Sequence, residues 1–107
     1  MNGKLIVFVS CSGMPEARKI ARVLVEKRLA ACANIVPRVH SVYRWKGKVE
    51  SAGETLMILK TSRKHFAALQ REVMRLHSYD TPEIIAVPIA AGAHKYLAWL
   101  DGSLRRM

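Results

Sequence analysis

Residues 31–61 read ACANIVPRVHSVYRWKGKVESAGETLMILKT, the longest extended pattern in the chain. Strict alternation along residues 31–46 predicts a strand with Ala33, Ile35, Val39, Ser41, Tyr43 and Trp45 on one face. Pro37 lacks a backbone N–H, which predicts a sheet edge, bulge or bend there. Trp45-Lys46-Gly47-Lys48 predicts a hairpin turn, followed by a return strand that ends near Thr61.

The segment before this hairpin predicts a strand followed by a helix. Residues 5–9 form an apolar, β-branched run, which indicates a central strand buried on both faces. Ser12 is the predicted helix N-cap and Pro15 suits the first turn. The helix presents one apolar face, formed by Ala17, Ile20, Ala21 and Leu24.

The segment after the hairpin repeats the helix and strand. Ser62 is predicted to cap a second helix, residues 77–82 to form a loop, and residues 83–89 to form a short strand. A last helix is expected over residues 93–104. The order βαββαβ plus a terminal helix predicts an α+β, ferredoxin-like fold, with an antiparallel sheet and two helices on one face. Length predicts one domain over residues 1–107.

Such a sheet carries helices on one side only. Its other face and its long hairpin would expose apolar residues and unpaired strand edges to water. We therefore expect the chain to work as a homo-oligomer.

The composition limits the classes of function. Eighteen Lys and Arg against eight Asp and Glu give a net charge of +10, which can indicate an anionic partner such as nucleic acid. The basic residues are scattered, however, and RNA-recognition domains need aromatics on central strands, where only Phe8 stands. Nonspecific nucleic-acid binding stays an alternative. No apolar run suits a membrane span or signal peptide, so a cytoplasmic location without membrane contact is expected.

Neither the cysteines nor the motifs point to catalysis. Cys11 and Cys32 form no Cys-x-x-Cys pair and no disulfide framework. The chain has no nucleophile elbow, HExxH, P-loop or GxGxxG. We therefore expect a binding protein that is not an enzyme and needs no organic cofactor.

Four motifs, in this order, resemble the CutA family of divalent-cation tolerance proteins. They are RLAACANI at 28–35, SVYRWKGK at 41–48, HSYDTPEII at 77–85 and YLAW at 96–99. The resemblance implies a cytoplasmic homotrimer in which long hairpins pair between subunits. It also implies tolerance of copper and other divalent metals, with copper binding, and a likeness to the trimeric PII signalling proteins.

The resemblance also implies metal ligands at Cys11, His77 and Glu83. A thiolate, an imidazole and a carboxylate are adequate ligands for copper or zinc. The chain departs from the family where a second histidine and a proline are replaced by Leu76 and Ser78. The alternatives are that His77 hydrogen-bonds to backbone and that Glu83 caps a turn or pairs with a lysine.

A second set of candidate residues suits a subunit interface or a cleft beside one. Trp and Tyr offer large apolar surfaces with a polar tip, and the basic side chains could contact an anion. A PII-like sensor that binds a small anion between subunits is the alternative to pure interface packing. The set comprises Arg28, Cys32, Tyr43, Trp45, Lys60, Tyr79, Tyr96 and Trp99.

Overall fold

The computed structural model describes residues 3–107, which form four strands and three helices. The predicted βαββαβ order with a terminal helix is confirmed. In chain order the elements are β1 (Lys4–Cys11), α1 (Met14–Glu26), β2 (Cys32–Trp45), β3 (Lys48–Ser62), α2 (Arg63–Leu76), β4 (Ile84–Pro88) and α3 (His94–Ser103). Among the helices of residues 3–107, none offers a stretch that would span a lipid bilayer.

The four strands form one antiparallel sheet in the order β2-β3-β1-β4. The central strand β1 pairs with β3 along its whole length, from Lys4 opposite Ser62 to Cys11 opposite Thr55. The predicted α+β, ferredoxin-like class is therefore confirmed. Its sheet brings the end of β1 to the base of the long β2–β3 hairpin.

The core lies between the sheet and the helices α1 and α2. Alternate residues of β1, including Val7 and Val9, share one buried cluster with the side chains of Ile20, Leu24 and Leu69. Burying each such side chain contributes about 1.5–3 kcal/mol. β1 was predicted to be buried on both faces, and this is wrong for its second face.

The second face of β1 belongs to what we call the open face of the sheet, the side away from the core. Ile6 and Phe8 are only half-buried there. Opposite residues of an antiparallel pair share a face. Phe8 pairs with Ile58 and Ile85, and Ile6 pairs with Val87, so one apolar strip crosses three strands of the open face.

A β-bulge in β2 changes which side chains face the same way. The predicted irregularity at Pro37 is confirmed, because the register skips from Val36 opposite Leu56 to Val39 opposite Glu54. Two residues of β2 thus stand opposite one residue of β3, and the bulged Arg38 has a positive φ of 61°. The strict alternation predicted above is wrong beyond this point. Val39, Ser41, Tyr43 and Trp45 share the open face with Val36 rather than the core face with Ile35.

The turn between β1 and α1 differs from the prediction by one residue. Gly13, not Ser12, is the N-cap of α1, and Pro15 lies in the first turn as expected. Ser12 instead donates from its backbone N (3.1 Å) and its Oγ (3.0 Å) to Glu16 Oε1. This turn holds the Glu16 carboxyl beside the end of β1.

Candidate functional site

Three metal-ligating side chains meet where β1 ends. They are Cys11 at the end of β1, Glu16 in the first turn of α1 and His77 just after α2. One ligand atom from each residue lies within 4.8 Å of the others. Among residues 3–107 this Cys11–Glu16–His77 cluster is the one such group of three.

Hydrogen bonds hold the Glu16 carboxylate in the cluster. Besides the two bonds from Ser12, its Oε2 accepts the backbone N–H of Ser78 at 2.6 Å. Partial burial raises the pKa of the Glu16 carboxyl, but the hydrogen bonds from Ser78 and Ser12 outweigh it and lower the pKa to about 2. Glu16 therefore carries a negative charge at neutral pH.

Both ring nitrogens of His77 have backbone partners. Nε2 donates to the carbonyl of Ser10 at 2.7 Å, and Nδ1 accepts the N–H of Tyr79 at 3.0 Å. These partners assign the neutral tautomer with its proton on Nε2. His77 Nδ1 stands 4.0 Å from Glu16 Oε2.

The Cys11 thiol is fully buried and protonated. Burial, followed by the negative charges of Glu16 and Glu54, raises the pKa of Cys11 to about 12. The three ligand types still fit copper or zinc, because both ions take thiolate, imidazole and carboxylate together. Loading such an ion would require the Cys11 thiol to lose its proton, and ligation through His77 Nδ1 would require the Tyr79 N–H to leave that nitrogen.

The third predicted metal ligand lies elsewhere. Glu83 is exposed just before β4 and is outside the Cys11–Glu16–His77 cluster. Glu16 supplies the carboxylate of the cluster instead, and sequence reasoning did not name Glu16 as a candidate ligand. The available signal was Ser12 four residues before Glu16, directly after Cys11, since that spacing lets the two side chains bond across the turn.

The hairpin forms a cleft beside this cluster. The cavity measures about 580 Å³, and it gathers Tyr43, Trp45, Tyr79 and Glu83 from the sequence-predicted residues. Glu54 also lines it and accepts a hydrogen bond from the Tyr79 hydroxyl at 2.6 Å. Burial, together with this bond to Glu54, raises the pKa of Tyr79. The Tyr79 ring packs 4.7 Å from the His77 ring, which connects cleft and cluster.

The other predicted interface residues lie toward the opposite end of the sheet. Lys60 donates to Cys32 Sγ at 3.7 Å and also to the side chain of Asn34. The rings of Tyr96 and Trp99 lie 5.5 Å apart on α3. The predicted set therefore divides into two separate groups.

Arg28 belongs to neither of these groups. It adopts a positive φ of 59° after α1. Its guanidinium donates to the carbonyls of Gly102 at 3.2 Å and Ser103 at 3.1 Å. These two hydrogen bonds hold the end of α3 against Arg28. They engage guanidinium N–H groups that were predicted to contact an anion.

Comparison with known proteins identifies relatives over almost the whole chain. The family model described as "CutA1 divalent ion tolerance protein" matches residues 5–103. The "Divalent-cation tolerance protein CutA" of Thermus thermophilus is 47% identical over 95 residues, covering 89% of this chain and 92% of its own length. The "Protein CutA, chloroplastic" of Arabidopsis thaliana is 45% identical over 101 residues, covering 94% of this chain.

The solved structures agree with the sequence matches. The divalent cation tolerance protein from Thermus thermophilus superposes with a TM-score of 0.94 at 44% identity, covering 95% of this chain and 99% of that one. The chain spans only 56% and 52% of the Arabidopsis and mouse relatives. The match to residues 5–103 and the identities above place the chain in the CutA1 family of divalent ion tolerance proteins.

Proposed function

We propose that this protein supports tolerance of divalent metal ions by binding an ion such as copper at the Cys11–Glu16–His77 cluster. The observation that carries the proposal is the convergence of three donor types within 4.8 Å from three separate segments. Family membership supports the link to divalent ions. The chain acts here by binding, without a catalytic step.

Metal binding at this cluster would be coupled to proton release. The Cys11 thiol has a pKa of about 12, so the ion must displace its proton to gain a thiolate ligand. Glu16 is already ionised and supplies charge that favours a cation. Affinity should therefore rise with pH through the neutral range.

Calorimetric titration with Cu²⁺ and Zn²⁺ tests this proposal. Zn²⁺ is redox-inert, so it separates ligation from thiol oxidation by Cu²⁺. We expect Cys11→Ser to weaken metal binding by about tenfold or more, because even the loss of a residue that only orients a metal ligand typically lowers metal affinity by about that factor. Cys32→Ser is the matched control, because it removes the second thiol outside the cluster.

The outcome also decides the role of Glu83. If Glu83→Gln weakens metal binding as much as Glu16→Gln, the sequence-based ligand prediction for Glu83 holds. Equal affinity of the wild type, Cys11→Ser and Cys32→Ser proteins would rule out metal binding at the cluster.

The proposal includes a homotrimer in the cytoplasm. The apolar strip on the open face supports self-association, since Ile85 is 54% exposed and Val87 is 42% exposed. The cytoplasmic location is proposed from the resemblance of the four motifs to the CutA family. Cell fractionation with an antibody against the chain tests the location.

A second candidate function is a small-ligand sensor that uses the hairpin cleft. The cleft volume of about 580 Å³ favours it, because small-molecule sites typically measure roughly 300–1,000 Å³. A thermal-shift screen of anions, cations and neutral compounds tests it. A panel that leaves the melting temperature unchanged throughout would exclude this function.

A further inference from the structure

The two helices that cover the core carry half of the net charge of the chain. Residues 14–27 and 63–76, which are α1 with its C-cap Lys27 and α2, hold eight Lys and Arg against three Glu. Their excess of five positive charges is half of the net charge of +10. Basic residues that are scattered along the sequence are thus concentrated in one layer of the fold, which we call the helix layer.

The cations of the helix layer point away from the sheet. Buried residues of the two helices, such as Ile20 and Leu69, belong to the core, whereas every Lys and Arg of the helix layer is exposed. The trimer proposed above buries the open face, which lies on the other side of the sheet. The helix layer therefore remains on the outside of that trimer.

Two of the three acidic side chains of the helix layer do little to neutralise its surface. The side chain of Glu16 is only 15% exposed, because its carboxylate is turned into the Cys11–Glu16–His77 cluster. The side chain of Glu72 is 16% exposed and is shared by Lys27 at 3.2 Å and Arg75 at 2.5 Å. Two cations beside one carboxylate leave one positive charge in excess.

Five further cations of the helix layer form no ion pair with any of residues 3–107. They are Arg18, Lys19, Arg63, Lys64 and Arg71. Lys64 and Arg71 stand about two helical turns apart and so share one side of α2, where Arg75 continues the row. Cations held in a row on a rigid helix suit a ligand whose negative charges repeat along its length.

The neutral residues of the helix layer narrow the class of ligand. The layer contains no Tyr or Trp, and Phe66 packs partly buried against the core, so single-stranded bases would find no exposed aromatic ring for stacking. Its exposed large apolar side chains are Val25 on α1 and Met74 on α2. One such residue on each helix falls short of the apolar face with which a helix enters a lipid surface.

We propose that the helix layer binds the phosphate backbone of double-stranded DNA without reading its bases. Duplex DNA presents one negative charge per roughly 1.7 Å of its axis, and cations that contact its phosphates gain free energy by releasing counterions. RNA duplexes are recognised partly through their 2′-hydroxyl groups, and Gln70 is the single exposed neutral hydrogen-bonding side chain that the helix layer offers them. The inference goes beyond the proposed metal function and is independent of it.

Fluorescence anisotropy with a short labelled DNA duplex of mixed sequence tests the inference. We expect a dissociation constant of roughly 1–100 μM at physiological salt and tighter binding at lower salt. A second duplex of different sequence should bind equally well, because phosphate contacts carry no sequence information. The full chain is measured without added metal, so a failure of the metal proposal would leave this result unchanged.

Charge-removing variants locate the binding to the helix layer. The double variant Lys64→Gln, Arg71→Gln should weaken duplex binding about tenfold or more at low salt and reduce the slope of log affinity against log salt by about 1.8. The double variant Lys48→Gln, Lys95→Gln is the matched control, because it removes the same charge from exposed positions of β3 and α3. Light scattering checks that both variants keep the wild-type assembly.

Three results would overturn the inference. They are no binding of the duplex at low salt, binding that does not change with salt, and equal effects of the two double variants. Tighter binding of single-stranded DNA, of an RNA duplex or of phosphatidylserine vesicles than of the DNA duplex would overturn the assignment to double-stranded DNA.

Discussion

The two cysteines have contrasting environments. Cys11 is fully buried, and burial with the nearby Glu16 raises its pKa to about 12. Cys32 is half-buried beside the Lys60 ammonium. The thiolate is the reactive form of a cysteine. We therefore expect the buried Cys11 thiol to be inert and the half-buried Cys32 thiol to be accessible.

This contrast predicts which thiol reacts in the folded protein. A pKa rise from 9.0 to about 12 lowers the thiolate fraction of Cys11 about 1,000-fold at neutral pH. With a thiol-disulfide reagent, Cys11→Ser protein should react quickly through Cys32, and Cys32→Ser protein should react only on unfolding. Equal reaction rates of the two folded variants would contradict the assignment.

Glu16 predicts a specific acid sensitivity. Its pKa falls from 4.5 to about 2 on folding, so its stabilising contribution is complete above pH 4.5 and is lost as the pH falls toward 2. Glu16→Gln should cost about 1–3 kcal/mol of unfolding free energy at pH 7 and flatten the pH dependence in that window. Urea unfolding at several pH values measures both effects.

Glu26→Gln is the control for this measurement. Glu26 forms an exposed pair with Arg22 on α1 at 3.1 Å, and such pairs contribute little, about 0–1 kcal/mol. If Glu26→Gln and Glu16→Gln lower stability equally at pH 7, the carboxylate of Glu16 is not the stabilising group described here.

Sequence reasoning named two of the three residues of the Cys11–Glu16–His77 cluster, and whether the cluster binds a metal stays a prediction. Cys11 and His77 were predicted through family resemblance, and the structure places them together. Glu16 was missed, because the Ser12–Glu16 spacing signals a bond across the turn but does not show that the Glu16 carboxyl lies beside Cys11 and His77. The sequence likewise could not show that the Arg28 guanidinium donates hydrogen bonds to the backbone carbonyls of Gly102 and Ser103.

The spacing of apolar residues predicted which helices and strands form and in what order. It predicted less well which face of the sheet each side chain occupies. The seven elements were predicted from their apolar spacing, and Pro37 correctly marked an irregular point in β2. The facing of Tyr43 and Trp45 was wrong, because one extra residue at the bulge exchanges the two faces of everything beyond it. A sequence does not reveal how many residues a bulge contains.

The β2–β3 turn predicts a local cost for one glycine substitution. Gly47 has a φ of +81°, and an added methyl group would meet no atom within 4 Å, so only the backbone conformation resists Ala. Gly47→Ala should lower stability by about 1–2 kcal/mol. Gly53→Ala in β3 is the control, because its site is equally open but lacks a positive φ.

Denaturant unfolding compares these two variants. Gly53→Ala should be neutral or stabilising by up to about 1 kcal/mol, since Ala restricts the unfolded chain. A Gly47→Ala protein as stable as the wild type would show that the hairpin turn adopts another conformation in solution.

At the scale of the whole molecule, the open face offers a direct test of self-association. Val87 lies in the apolar strip, where it pairs with Ile6 and stands beside Ile85, whereas Val25 projects from α1. The two valines are 42% and 40% exposed, so they are matched in type and accessibility. A charge placed within an apolar interface carries a large desolvation cost, while a charge on a free helix surface does not.

We therefore expect light scattering to give a mass near three copies of 12.0 kDa for the wild type and for Val25→Lys. Val87→Lys should shift the mass toward 12.0 kDa at micromolar concentration, with circular dichroism showing that the fold persists. A wild-type mass of 12.0 kDa would contradict the trimer. Dissociation by Val25→Lys, with Val87→Lys still trimeric, would move the interface from the open face to the helices.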